Sequence, residues 1–132
     1  MTAQTNTVTA TIGKKNFETR LTAGRHSLLA DEPESIGGQD TGPAATDLLR
    51  LSLASCTAIT LRMYANRKEY EIDEIRVHVT SEKVANTFTV DMKIEIDGQL
   101  DDAIRSRMLQ IAKACPVHKI LTNPVEIKTE LR

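Results

Sequence analysis

At 132 residues the chain has the length of one domain, and if it folds alone it makes a globule roughly 36 Å across. Seventeen basic residues against eighteen acidic ones give a formal net charge of −1, and there are only two Tyr, two Phe and no Trp. This balance offers nothing to a nucleic acid or an anionic membrane surface. The polar N-terminus, MTAQTNTVTATIGKK, lacks the apolar stretch of an export signal, so the expectation is a soluble, cytoplasmic protein. Two cysteines are too few for a disulfide framework in a reducing compartment, and a bridge between them would be transient and chemical.

The expected architecture is α+β, with a single domain over residues 1–132. In its N-terminal hairpin region, residues 1–42, residues 6–12 and 16–22 are rich in Thr and alternating apolar positions, with Gly13, Lys14 and Lys15 turning the chain between them. A third short strand, Arg25 to Leu29, leads into the irregular loop DEPESIGGQDTGP. Gly37, Gly38 and Gly42 match neither phosphate-loop pattern and read as turn formers.

A central helix is expected over residues 43–68, free of internal Gly and Pro and about 37 Å long. Leu48, Leu49, Leu51, Leu53, Cys56, Ile59, Leu61 and Met63 spread around its whole circumference. A helix apolar on all sides must be enclosed, and too little chain remains to enclose it, which points to a homodimer.

A hairpin follows over residues 72–98, with Phe88, Val90, Met92, Ile94 and Ile96 alternating with polar residues and a turn at Glu82 to Thr87. Next comes a helix at 101–114, where Asp101 and Asp102 supply negative charge to the first turn and Ile104, Met108, Ile111 and Ala112 form the buried stripe. The last segment, residues 115–132, is a cysteine turn followed by a closing strand in which Val125, Ile127, Thr129 and Leu131 alternate.

The two cysteines differ in kind. Cys115 precedes Pro116, which suits the first position of a new helix, so its sulfur occupies the cap and faces unpaired N–H groups that stabilise a thiolate. His118 or Lys119 could add positive charge one turn on. Cys56 lies mid-helix among uncharged neighbours, where burial raises a thiol's pKa. Its activation would need a cation from another segment, with Lys14, Lys15, Arg20 and Arg25 as candidates.

The stretch GGQDTGPAATDLLRLSLASCTAITL, followed much further along by IAKACPVHKIL, resembles the OsmC and organic hydroperoxide resistance family over nearly the whole chain. The resemblance implies an OsmC-like fold: a long central helix wrapped by antiparallel sheet in an intertwined homodimer. It also implies a cysteine-based peroxidase, with Cys56 attacking an organic hydroperoxide, Cys115 resolving through a disulfide, and an external dithiol as reductant. No metal or organic cofactor is called for. The family's peroxidase branch carries a glutamate ten positions before the attacking cysteine and an arginine in the first hairpin. Here position 46 is Thr, with Asp47 one residue on, and the hairpin turn offers lysines, so the resemblance implies a divergent branch. A non-enzymatic dimer that binds a small apolar ligand, with structural cysteines, is the alternative.

Overall fold

The computed structural model describes residues 7–132, so Asn6, the first residue of the expected hairpin, lies outside the described residues. The elements in chain order are β1 (Val8–Ile12), β2 (Thr19–Ala23), β3 (His26–Ala30), a 3-10 turn (Glu34–Ile36), α1 (Ala45–Lys68), β4 (Ile72–Val84), β5 (Thr87–Gly98), α2 (Asp102–Ala112) and α3 (Pro116–Leu121). The architecture is α+β with a long helix and antiparallel sheets. The chain divides into two compact units that part after Leu49.

In the first unit, β1, β2 and β3 form an antiparallel meander in which Ala10 pairs with Leu21 and Leu21 with Leu28. The loop that follows is built on Asp31. Its carboxylate accepts hydrogen bonds from the backbone N–H groups of Phe17, Glu32, Gln39 and Thr41 and from the Thr41 hydroxyl, at 2.7–3.3 Å. The glycines of the GGQDTGP stretch let the chain close on this anchor, because a Cβ at Gly38 would overlap the Glu32 carbonyl and one at Gly42 the Leu29 carbonyl.

The second unit holds the larger core. Leu53, Thr57, Leu61, Tyr64 and Ala65 make the buried stripe of α1, at the three- and four-residue spacing of one helix face. Leu61, Tyr64 and Ala65 pack with Ile72, Met108 and Ala112 into one cluster, with Ile75, Ile94, Ile96 and Ile104 packed against it. Ile72 and Ile75 both reach it although three residues separate them. A register irregularity between Ile72 and Glu74 absorbs the odd residue and restores the alternation. Asp101 caps α2, its carboxylate accepting the Ile104 N–H at 2.8 Å, as its place at the helix start implies.

Three expectations from the sequence change. The turn expected at Glu82 to Thr87 narrows to Ala85 and Asn86, since β4 runs through Val84 and β5 resumes at Thr87; Ala85 adopts the left-handed conformation at φ 55°. The closing strand does not form: residues 125–131 have no regular structure, with Ile127 82% and Leu131 100% exposed. Alternation describes which side chains share a face, but a strand also needs an edge to pair with, and this segment has none among the described residues. Nor is α1 enclosed within the chain. Leu51, Ile59 and Met63, at 54%, 54% and 67% exposure, leave an open apolar stripe. Among the described residues no helix is long and apolar enough to cross a membrane.

Candidate functional site

α1 and the α2–α3 junction bring together Cys56 and Cys115, two residues far apart along the chain. Pro116 starts α3 and Cys115 caps it, its Sγ accepting the His118 N–H at 3.4 Å. Cys115 also continues the buried stripe of α2 and is 0% exposed. Cys56 is partly exposed, and neither cysteine is bridged. The Cys56 S–H donates to the Cys115 sulfur, so the two thiols are in direct hydrogen-bonding contact.

The surroundings of the two sulfurs push in opposite directions. For Cys56, burial first and then the neighbouring Cys115 sulfur raise the pKa above that of an ordinary thiol, against weaker help from the Val117 N–H and the Thr60 hydroxyl. For Cys115, burial also opposes ionisation. It is outweighed by the Cys56 S–H, the His118 N–H, the Thr57 hydroxyl and the Val117 N–H, which together hold the pKa below the usual value. In the chain at rest, negative charge therefore favours Cys115, while Cys56 keeps the proton and the better access to solvent.

Thr57 joins this site without having been singled out in the sequence. Its side chain is fully buried, and its hydroxyl reaches both Cys115 and, at 3.4 Å, the Met92 sulfur on β5. The available signal was its place on the stripe Leu53, Thr57, Leu61, Ala65, where it is the only polar residue. A hydroxyl on the most buried face of a helix needs a partner, and here the partners are sulfur atoms.

An apolar groove of about 280 Å³ adjoins the pair, lined by Leu53, Phe88, Val90, Met92, His118 and Leu121 among others. His118 lines this groove while its backbone N–H serves Cys115. The other residues considered for the site lie in the first unit or at its end. Lys15 pairs with Glu18 at 3.2 Å, Lys14 and Arg25 are exposed in turns, and Arg20 is exposed on β2 between Thr11 and Leu29. Asp47 accepts the Ala44 N–H at 3.1 Å at the start of α1.

An α+β chain whose long helix carries one thiol against a second thiol, held at the start of a proline-led turn, defines a class of paired-cysteine proteins. The model of the OsmC-like protein family matches residues 38–130, and the chain belongs to that family. A Psychrobacter arcticus protein described as an osmotic stress induced and detoxification response protein is 25% identical, with 91% of this chain and 90% of that one covered at a TM-score of 0.75. An OsmC-like protein from Mycoplasma pneumoniae is 19% identical over 91% and 89% of the two chains, with a TM-score of 0.75. The organic hydroperoxide resistance protein OsmC from Legionella pneumophila is 17% identical over 92% of each chain, with a TM-score of 0.64. No curated protein matches the sequence significantly.

Proposed function

We propose that this protein is a cytoplasmic, homodimeric, thiol-dependent reductase of organic hydroperoxides, with Cys56 as the attacking and Cys115 as the resolving cysteine. The observation that carries the reading is the contact between two unbridged thiols from distant parts of the chain, beside an apolar groove. Access favours Cys56 for the first step, because it is the partly exposed member of the pair. Its thiolate attacks the distal oxygen of the hydroperoxide and breaks the O–O bond. The alkoxide released takes up a proton and leaves as an alcohol, and Cys56 becomes a sulfenic acid. The Cys115 thiol then attacks the Cys56 sulfur, forming the disulfide and releasing water. An external dithiol restores both thiols by exchange and is itself oxidised. An alkyl tail in the groove gains about 25 cal/mol per Å² buried, which favours organic hydroperoxides over hydrogen peroxide. The open stripe of Leu51, Ile59 and Met63 supports the homodimer, since a soluble chain is expected to cover such a row.

The test treats the reduced full chain with an equimolar organic hydroperoxide and follows free thiols and intact mass. Loss of two thiols and two hydrogens is expected; Cys56→Ser abolishes the reaction, and Cys115→Ser leaves a sulfenic acid that a dimedone-type reagent traps. An unchanged mass and thiol count overturns the peroxidase reading and favours the ligand-binding alternative.

A further inference from the structure

The pair poses a problem that its own geometry answers. Attack requires the charge on Cys56, yet the donors gathered around Cys115 favour charge there. Three of those donors are fixed or committed: two backbone N–H groups of α3, and the S–H whose proton has to move. The Thr57 hydroxyl is the exception, because a hydroxyl rotates and carries one proton that serves one acceptor at a time. It has two sulfur acceptors within reach, Cys115 on one side and Met92 on the other, and it donates to Met92 at 3.4 Å.

We infer that Thr57 is a positioning residue that decides which cysteine carries the negative charge, by lending its hydroxyl to Cys115 or to Met92. With the hydroxyl on Cys115 the thiolate rests there and Cys56 holds the proton. With the hydroxyl on Met92, Cys115 loses a donor and becomes more basic. It then takes the Cys56 proton, leaving a Cys56 thiolate ready to attack and a Cys115 thiol ready to resolve. One proton moves between the two sulfurs, and the total charge of the pair stays the same. The surroundings make this the adjustable element. On β5 the groups lining the groove beside the pair are Phe88, Val90 and Met92, all uncharged, and α2 presents Ile111 and Ala112. From α1 the groups acting are Cys56, Thr57 and Thr60, and from α3 the ionisable side chain in the groove is His118, with Lys119 exposed.

The inference rests on the peroxidase reading for its rate arm only. Thiolate absorbance of the reduced full chain is followed against pH for the wild type, Thr57→Val, Thr57→Ser and Met92→Leu, and again with His118→Asn in each background to remove imidazole titration. Thr57→Val ionises at higher pH, with about tenfold less thiolate at neutral pH, the worth of one charge-assisted hydrogen bond. Thr57→Ser restores the profile. Met92→Leu shifts it the opposite way, to lower pH, while slowing oxidation by the hydroperoxide because the charge stays on Cys115. Superimposable profiles for wild type and Thr57→Val, with unchanged circular dichroism, overturn the inference. If Thr57→Val does not fold, an unmoved or upward-shifted Met92→Leu profile overturns it equally. Shifted titrations in a protein that consumes no hydroperoxide leave Thr57 its role and sink the peroxidase reading instead.

Discussion

The Thr41 hydroxyl donates to the Asp31 carboxylate at 2.7 Å, and this bond leads a set of five that ties the loop before α1 to a single buried anion. The Thr41 hydroxyl first, and then the backbone N–H groups of Glu32, Thr41 and Phe17, hold the Asp31 carboxyl well below the usual carboxylate range, with burial acting against them. A depressed folded-state pKa gives stability that is complete above the unfolded carboxylate value and is lost as pH falls below it. Asp31→Asn should therefore melt several degrees below the wild type at neutral pH, and the gap should close as the pH drops below about 4. Melting curves across pH check this; a gap that persists in acid would assign the loss to packing.

Phe88 and Val90 line the groove beside the cysteine pair, while neither touches the sulfurs by any recorded bond. Phe88→Ala should raise KM for a bulky aromatic hydroperoxide about fivefold and leave hydrogen peroxide turnover nearly unchanged, since it removes binding surface and not chemistry. Steady-state kinetics with the two substrates decide it. A loss of kcat on both would mean that the side chain supports the thiols.

Ile59 and Met63 sit one helical turn apart on the open stripe of α1, facing away from the core formed by Leu61 and Ala65. Ile59→Asp puts a charge on that stripe without touching the core. It should convert a dimer into a monomer at micromolar concentration while helix content is kept, as read by sedimentation velocity and circular dichroism. A wild-type chain that sediments as a monomer would remove the need for a partner.

Leu61 is fully buried, in one cluster with Met108, Tyr64 and Ala112. Leu61→Ala should cost about 2–5 kcal/mol of unfolding free energy in urea titration, the sum of lost transfer and residual cavity. The exposed Met63→Ala, two positions on, should cost less than about 1 kcal/mol, and equal losses would contradict the burial pattern.

The sequence alone determined what nearest neighbours along the chain decide. Pro116 implied a helix start, so Cys115 was legible as its cap; the acidic residues at 101 and 102 marked the opening of α2; and a run free of Gly and Pro marked α1. The ordered motifs around the two cysteines pointed to the family, which matches residues 38–130. Tertiary structure decided whatever depends on partners distant in sequence. The contact of Thr57 with Met92 spans 35 residues, and that of Phe17 with Asp31 spans 14, so neither could be read from periodicity. The alternating tail from Val125 to Leu131 shows the converse: its pattern is that of a strand, but a strand exists only where another edge accepts its hydrogen bonds. Where the proton sits between Cys56 and Cys115 is a matter of the same kind, because the donors that set it converge from α1 and α3 only when the chain is folded.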